Sequence, residues 1–512
     1  MSEENKNNSV GKVWLVGAGP GDAGLMTLKG GDVLQSADVV VYDALVGSGV
    51  LSMIPDSAEL IYAGKRSGHH TLKQNEINMV LLDKALEGKR VVRLKGGDPF
   101  LFGRGGEELE LLKENSIPYE IIPGVTSAFA APAYAGIPVT HRDFCQSVSV
   151  VTGHRRKNGE LDIDFEAHAK TGGTLVFMMG ISTIGLITKG LLDAGMDPEM
   201  PAAIVERGTG AAQRVLHTTL AGLEKTAAEK KAAAPSVIVV GRVADLGAGF
   251  SWREALPLFG ARAVVTRPKA LSSGLAAMLR EKGAEVIELP AISIEPIPDN
   301  TELHDAIVRL GDGYYSWAVF TSPSGVRVFF KELIRYSDAR ALSGCRIAAI
   351  GKGSEKELMK HGIRADMLPS SYDGKTLGCE LAQMLKDGDR ILIPRAAIGG
   401  KELTEELSRV HDVVIDDIAT YDTVYKRSAW FDADAAFDQA CTYAVFTSAS
   451  TVRGFVNAYP DMDHSKAEAV CIGNMTAAEA EKYGMKIYVS KNATLESLAG
   501  RLEEVHRERR DR

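Results

Sequence analysis

The sequence predicts an α/β protein with largely parallel sheets. From residue 12 onward, short runs rich in β-branched residues alternate with segments of helical periodicity, an order typical of layered α/β domains. Glycine-rich turns follow several predicted strands directly, and the second half of the chain repeats part of its own pattern. At roughly 150 residues per domain, the 512 residues indicate about three or four folding units.

The first half shows the clearest alternation of strands and helices. Strands are predicted at Val13–Val16, Val39–Tyr42, Val91–Leu94, Glu120–Ile122, Ser147–Thr152, Leu175–Met178 and Pro235–Gly241. Helices are predicted at Gln74–Leu86 and Glu107–Lys113. The glycine-rich stretch Asp245–Phe250 indicates a domain boundary. We therefore predict a first domain at 11–247, a linker at 248–260 and a second domain at 261–505.

The second domain contains an internal repeat. RAVVTRPK, AVFTSPSG and IAAIG recur in the same order, about 125 residues later, as RILIPRAA, AVFTSAST and VCIG. A repeat this long predicts two related α/β lobes, and two-lobed proteins commonly bind a ligand in the cleft between the lobes. Independent recurrence of common strand-turn motifs is the alternative interpretation.

The composition indicates which kinds of partner the protein is not expected to bind. The net charge of −8 differs from the basic excess of nucleic-acid binders, so we expect no nucleic-acid partner. No apolar run approaches the roughly 18 residues of a membrane span, and the polar start has no signal-peptide pattern, so we expect no membrane partner. Five scattered cysteines suit a reducing cytoplasm and no metal site. Residues 1–10 are predicted as a disordered tail and residues 506–512 as a charged tail.

A glycine-rich turn follows the first predicted strand. Val13–Asp22 reads VWLVGAGPGD, with G-x-G-x-G spacing instead of the G-x-G-x-x-G of dinucleotide-binding folds. The turn is compatible with a plain tight turn or with a nucleotide site. Asp43 ends the next strand, where an acid in a Rossmann domain would hold ribose hydroxyls. A NAD-dependent oxidoreductase fused to a two-lobed small-molecule-binding module is therefore one candidate function.

The most informative stretch is Val91–Glu108, which reads VVRLKGGDPFLFGRGGEE. Its two glycine pairs free the backbone beside Asp98. A carboxylate next to exposed amides suits a ligand with hydroxyl and ammonium groups better than a triphosphate. The chain has no G-x-x-x-x-G-K-[ST] motif.

The first half resembles the uroporphyrinogen-III C-methyltransferases over about residues 11–245. The resemblance is carried, in order, by VGAGPGDAGLMTLKG, VVYDALV, GKRSGHH, RLKGGDPFLFGRGGEE, PGVTSA, AGIPVTHR, VTGH, MMG and PAAIVERGTGAAQR. It implies a two-lobed tetrapyrrole-methyltransferase fold that uses S-adenosylmethionine without a metal, and a homodimer. The residues that it assigns to the cofactor are Pro20, Gly96, Gly97, Asp98, Leu101, Thr126, Ser127, Met179 and Gly208.

The same resemblance assigns residues to the substrate, uroporphyrinogen-III. Asp43 is the candidate base, which would stabilise the charge that develops on the pyrrole as its carbon takes the methyl group. Lys65 is a candidate catalytic contact. Because the substrate carries many carboxylates, nearby cations are expected to bind it, and the candidates are Arg66, His141, Arg142 and Arg156.

The second half resembles uroporphyrinogen-III synthase through VVTRPKA, ELPAISIEP, AVFTSPSGVRVFF, AAIGKGS, ADMLPSSYDGKTL, LIPRAA, TYDTV and VFTSASTVRGF. This family is two-lobed and converts hydroxymethylbilane into uroporphyrinogen-III with inversion of the terminal ring. Tyr421 is the residue we expect to assist loss of the substrate hydroxyl, with a core tyrosine as the alternative. The expected contacts to substrate carboxylates are Arg267, Thr321, Ser322, Arg395, Thr447 and Ser448.

Overall fold

The computed structural model describes residues 10–64, 72–154, 161–267, 269–410 and 412–511. The chain divides into two compact units, and each is described by itself. The first unit joins Met1–Pro290 to Arg427–Arg512, and the second is Ala291–Lys426.

The first sheet of the first unit is fully parallel. Its strands are β1 (Lys12–Gly17), β2 (Val39–Tyr42), β3 (Glu59–Tyr62), β4 (Arg90–Lys95) and β5 (Tyr119–Ile122), in the order β3-β2-β4-β1-β5. Alternate strand residues enter different apolar clusters, so both faces are buried: Val40 belongs to one cluster, and its neighbour Val41 to the other. The helices are α1 (Leu28–Gln35), α2 (Ser48–Leu51), α3 (Gln74–Leu86), α4 (Gly105–Glu114) and α5 (Ser127–Tyr134).

The second sheet is mostly antiparallel, which differs from the sequence expectation of largely parallel sheets. Its strands are β6 (Val148–Thr152), β7 (Thr174–Met178), β8 (Pro201–Glu206), β9 (Arg214–Thr219) and β10 (Ser236–Val240), in the order β6-β7-β10-β8-β9. Only β6 and β7 pair in parallel. The short loop from β8 to β9 allows antiparallel pairing without a crossover helix. The helices are α6 (Phe165–Thr171), α7 (Ile184–Asp193) and α8 (Leu223–Glu229).

A third, parallel sheet completes the first unit. Its strands are β11 (Arg262–Val265), β12 (Glu285–Glu288), β18 (Thr442–Phe446), β19 (Glu468–Cys471) and β20 (Lys486–Val489), in the order β12-β11-β18-β19-β20. Its helices are α9 (Lys269–Glu281), α15 (Ala433–Phe437), α16 (Ala449–Ala458), α17 (Asn474–Glu481) and α18 (Leu495–Arg510). Residues 506–510, predicted as part of a charged tail, belong to helix α18 instead. His506 is buried there, and its Nε2 is hydrogen-bonded to the Phe259 carbonyl.

The second unit contains the fourth sheet. Its strands are β13 (Ile292–Pro296), β14 (Trp317–Phe320), β15 (Arg346–Ala349), β16 (Arg390–Ala396) and β17 (Val414–Tyr425), in the order β13-β17-β16-β14-β15. Its helices are α10 (Thr301–Gly311), α11 (Pro323–Tyr336), α12 (Lys352–Met359), α13 (Gly374–Ala382) and α14 (Glu402–Val410). The order β16-β14-β15 mirrors β11-β18-β19, so the repeated sequence segments occupy equivalent strands in two similar sheets.

Candidate functional site

The loops that follow β1, β4 and β5 meet at the carboxyl edge of the first sheet. Gly19 and Gly97 exchange backbone hydrogen bonds, with N···O distances of 3.2 and 2.7 Å. Gly97 has φ +68°, and a Cβ on Gly124 would lie 2.2 Å from the Gly97 carbonyl oxygen. Glycine is therefore required for this close approach of the three loops.

Asp98 links two of these loops through its carboxylate. One oxygen accepts from the backbone N–H groups of Phe100 (2.8 Å) and Leu101 (3.2 Å). The other accepts from the Gly124 N–H at 3.0 Å. Next along the chain, Thr126 caps α5 by accepting from the Ala128 N–H at 3.2 Å. Asp98 thus shapes the backbone cradle that leads into α5.

A cavity of about 660 Å³ opens between the loops of the first two sheets. Met179 and Arg207 on its wall have left-handed φ values of 55° and 44°, a strained conformation that is concentrated at functional sites. Of the predicted cofactor residues, the cavity is lined by Pro20, Ser127, Met179 and Gly208. The other five, Gly96, Gly97, Asp98, Leu101 and Thr126, form the adjacent loops.

Asp43 lies directly before the residues that form one wall of this cavity. Ala44 and the four residues after it line the cavity. The Asp43 carboxylate accepts from the Leu45 N–H at 3.0 Å, and its second oxygen is 3.6 Å from Nη2 of Arg93. The side chain is 24% exposed, which leaves the carboxylate accessible while an arginine holds it in place.

Sequence reasoning missed a buried charged cluster beneath Asp43. Glu108, fully buried on α4, accepts from Nε of Arg93 at 3.1 Å and from Nζ of Lys95 at 2.7 Å. Burial, together with the charge of Arg93, lowers the pKa of Lys95 below its usual value. The sequence did contain a sign of this cluster in the strand RVVRLK. Arg93 and Lys95 lie on one face of it, and buried strands seldom carry two cations on one face.

The predicted substrate cations are only partly within the structure. Lys65, Arg66 and Arg156 lie outside the described residues. His141 and Arg142 follow α5 in a loop, where Nδ1 of His141 accepts from the Asp143 N–H at 3.2 Å. Neither residue is on the wall of the 660 Å³ cavity.

In the second unit, the structure brings Ser322 and Tyr421 together. Ser322 caps α11 by accepting from the Gly325 N–H at 2.9 Å, and its Oγ is also 2.9 Å from Oη of Tyr421. Tyr421 is 5% exposed, and this burial raises the pKa of its phenol. Thr321 directly precedes Ser322. Arg395 is already paired with Asp417, through Nε at 2.6 Å.

The second copy of the repeated FTS segment, which lies in the first unit, also caps a helix with its serine. Ser448 caps α16 by accepting from the Thr451 N–H at 3.3 Å, and Thr447 directly precedes it. Arg267 follows β11. The repeated FTS segments are therefore strand-to-helix turns whose serines cap helices.

Comparison with known proteins covers both halves. Residues 12–224 match the family described as Tetrapyrrole (Corrin/Porphyrin) Methylases, and residues 273–500 match the family described as Uroporphyrinogen-III synthase HemD. The porphyrin biosynthesis protein HemD of Ruminiclostridium josui is 44% identical over 497 residues, which cover 97% of this chain and 98% of that protein. The chain belongs to the fused tetrapyrrole methylase and uroporphyrinogen-III synthase family.

Other relatives of this fused enzyme have shorter matches. The uroporphyrinogen-III C-methyltransferase of Bacillus subtilis (strain 168) is 40% identical over 69% of this chain and 72% of that protein. The siroheme synthase of Edwardsiella ictaluri (strain 93-146) is 53% identical over 47% of this chain, and the match spans about half of that protein (52%).

The family settles the general function. The fused enzyme belongs to tetrapyrrole biosynthesis, and its substrates are small tetrapyrrole molecules. Both resemblances drawn from the sequence motifs, and the α/β fold class of both halves, are confirmed. The alternative, a NAD-dependent oxidoreductase fused to a binding module, is not supported. Among the described residues, no helix has both the length and the apolar character needed to cross a membrane.

Proposed function

We propose that the two halves catalyse consecutive reactions. The synthase half cyclises hydroxymethylbilane, with inversion of the terminal ring, to uroporphyrinogen-III. The methylase half then transfers two methyl groups from S-adenosylmethionine to pyrrole carbons of that product, giving precorrin-2. The observation that carries the second step is the cavity whose wall brings together Pro20, Ser127, Met179 and Gly208, from four separate motifs.

The residues around the cavity suit S-adenosylmethionine. Gly97 and Gly124 let the β4 and β5 loops approach each other closely, and this approach shapes a cradle where an amino-acid moiety can bind. Gly96, in the loop after β4, lies close to the cavity wall, because a Cβ there would be 2.6 Å from Cβ of Leu45. The bound cofactor supplies an activated sulfonium methyl group, and the protein supplies alignment of that group with the ring carbon.

Asp43 is the proposed base and charge-stabilising residue of the methyl transfer. Its carboxylate is partly exposed beside the cavity and positioned by Arg93 at 3.6 Å. As positive charge develops on the pyrrole, a fixed carboxylate stabilises it and accepts the N–H proton. Lys65 is proposed as a second catalytic contact, and the proposed carboxylate-binding residues are Arg66, His141, Arg142 and Arg156.

Tyr421 is the proposed proton donor of the synthase half. Its phenol, whose pKa is raised by burial, carries the proton that it would donate to the substrate hydroxyl that leaves as water. Ser322, at 2.9 Å, orients the phenol. The proposed contacts to substrate carboxylates are Arg267, Thr321, Ser322, Arg395, Thr447 and Ser448.

The domain limits and the setting of the enzyme are also proposals. We propose the limits 11–247, 248–260 and 261–505, a cytoplasmic homodimer formed through the methylase half, and no nucleic-acid or membrane partner. All five cysteines are free, which suits a reducing compartment, and the chain carries a net charge of −8.

The decisive experiment supplies hydroxymethylbilane and S-adenosylmethionine to the intact chain. Mass spectrometry should detect a macrocycle that carries two added methyl groups. Omission of S-adenosylmethionine should stop the reaction at unmethylated uroporphyrinogen-III. Formation of the ring-inverted product without any methylation, in the presence of both compounds, would refute the proposed role of the first half.

A further inference from the structure

The segment that connects the two halves packs on the methylase half. Nε1 of Trp252 donates to the Ala133 carbonyl at 3.1 Å, and its ring meets Tyr134 edge-on, with centroids 5.2 Å apart. The next residue, Arg253, is 5% exposed, which is unusual for an arginine in a connecting segment.

Arg253 lies between two loops that line the cavity. Its Nη2 donates to the Thr209 carbonyl at 3.3 Å and is 3.9 Å from Oδ2 of Asp22. Asp22 directly follows the Pro20–Gly21 turn, and Thr209 directly follows Gly208. The same two residues also bond to each other, because the Asp22 N–H donates to Oγ1 of Thr209 at 3.1 Å. Arg253 thus holds both loops together.

The Thr209 loop needs this support. Thr209 is buried and has a left-handed φ of 74°, a conformation that persists only where its surroundings enforce it. Gln213 accepts from the Thr209 N–H at 2.8 Å and donates to the Tyr134 carbonyl at 3.0 Å. The guanidinium of Arg253 stacks over the Tyr134 ring, 4.8 Å from its centroid. The contacts between loop, helix α5 and connector therefore form one network.

A residue of the synthase half forms part of the cavity wall itself. Glu285 begins β12 and is among the residues that line the cavity. Its Oε2 accepts from the Ala211 N–H, in the Thr209 loop, at 2.9 Å. Arg262 holds the same carboxylate at 3.2 and 3.1 Å, so its orientation is fixed from within the synthase half.

We propose that Arg253 and Glu285 are positioning residues of the methyl-donor site, so that the connector and the synthase half complete the pocket of the methylase half. The inference rests on the proposed function, because it assumes that this cavity holds the methyl donor. Both residues bond to loop backbone and neither is placed at the reacting carbon. Replacement of either residue should therefore weaken cofactor binding, because the cofactor would then have to order the loops as it binds. The rate of the methyl-transfer step itself should not change.

The test uses full-length variants and S-adenosylhomocysteine as the binding probe. In isothermal titration calorimetry, Glu285→Ala should raise the Kd about tenfold, the effect of losing a hydrogen bond to a charged group. Glu285→Gln, which keeps an acceptor, should give a smaller rise. In steady-state assays, KM for S-adenosylmethionine should rise in parallel, with kcat within about twofold of wild type.

The matched control is Glu288→Ala, which removes the other carboxylate of β12, the one that pairs with Arg280 at 2.8 Å. Glu288→Ala should leave the Kd unchanged. A rise in its Kd equal to that of Glu285→Ala would overturn the inference. Arg253→Gln should weaken binding of the probe as Glu285→Ala does. If Arg253→Gln fails to fold, the Kd values of Arg253→Lys, Glu285→Ala and Glu285→Gln test the inference instead. A lowered thermal midpoint with unchanged Kd in Glu285→Ala would also overturn it. Failure of the wild-type chain to bind the probe would instead refute the proposed function.

Discussion

Asp43, the proposed base of the methyl transfer, illustrates how the fold fixes a single carboxylate beside the cavity. Its backbone position comes from the end of β2, and its carboxylate orientation comes from the Leu45 N–H and from Arg93. Arg93 is in turn held by the fully buried Glu108. The carboxylate is thus fixed before substrate binds, which is the condition for effective stabilisation of a developing charge.

Asp43→Asn should abolish this stabilisation and leave the pocket intact. We expect kcat for methyl transfer to fall by about 10²- to 10⁴-fold, with little change in affinity for S-adenosylhomocysteine. Asp38→Asn is the matched control, because Asp38 precedes the opposite end of β2, where it pairs with Arg90 at 2.7 Å. Near-normal turnover of folded Asp43→Asn would remove Asp43 from the mechanism.

Tyr421→Phe tests the proposed proton donor of the synthase half. The change removes the phenol oxygen that lies 2.9 Å from Ser322 and keeps the ring. The rate of hydroxymethylbilane cyclisation should fall by at least about tenfold. Tyr425→Phe, at an exposed position on the same strand, should leave that rate unchanged. If Tyr421→Phe behaves like Tyr425→Phe, then Tyr421 is a core tyrosine.

At the scale of elements, the site depends on the close approach of three strand-to-helix loops. The Gly97 and Gly124 backbones are in contact, so a side chain at Gly124 would separate the β4 and β5 loops, while the left-handed φ of +68° favours glycine at Gly97. This requirement explains the glycines in the loops that follow β1, β4 and β5.

Gly124→Ala should damage the cofactor site. The added Cβ would lie 2.2 Å from the Gly97 carbonyl oxygen, so the loops must separate, and affinity for S-adenosylhomocysteine should fall at least about tenfold. Gly106→Ala, on α4, meets nothing within 4 Å and serves as the control in the same calorimetric measurement. Equal affinities for the two variants would contradict the proposed cradle.

The ion pair that links β2 to β4 predicts an acid-sensitive contribution to stability. Hydrogen bonds from Arg90 lower the pKa of Asp38 to about 2 from its usual 3.8. Because the folded-state pKa is the lower one, the stabilisation is complete above pH 3.8 and is lost as the pH falls toward about 2. Asp38→Asn should therefore reduce the free energy of unfolding by under about 1 kcal/mol at pH 7, allowing for solvent screening. Denaturant titrations should show the two proteins converging near pH 2.

At the scale of the whole molecule, fusion does more than place two enzymes on one chain. Residues 427–512 belong to the same compact unit as the methylase half, and Glu285 reaches the wall of its cavity. Fusion also raises the local concentration of one active site near the other. Kinetic study of the methylase half should therefore use the intact chain.

The predicted homodimer can be tested on the same intact chain. The methylase half exposes large apolar side chains that a dimer interface could cover, including Leu28 (90% exposed) and Phe129 (44% exposed). Analytical ultracentrifugation should give twice the mass of one chain, with little dependence on salt because apolar burial is not screened. A single-chain mass at micromolar concentration would contradict this prediction.

Local patterns in the sequence determined the elements and much of the site. Strand Val39–Tyr42 and helix Gln74–Leu86 have the predicted bounds, since apolar periodicity and turn chemistry are properties of neighbouring residues. The glycine motifs likewise marked the loops that meet beside the cavity, and the repeat predicted two similar sheets.

Tertiary structure alone decided which distant residues meet. The pairing of β10 with β7 and the contact of Tyr421 with Ser322 depend on packing of elements far apart in sequence. The pairing of Glu108 with Arg93 and Lys95 depends on how α4 is placed beside β4. The same holds for Arg253 and Glu285, which as isolated residues look like ordinary surface charges. Only folding buries Arg253 and most of the Glu285 side chain and supplies their backbone partners, the Thr209 carbonyl and the Ala211 N–H.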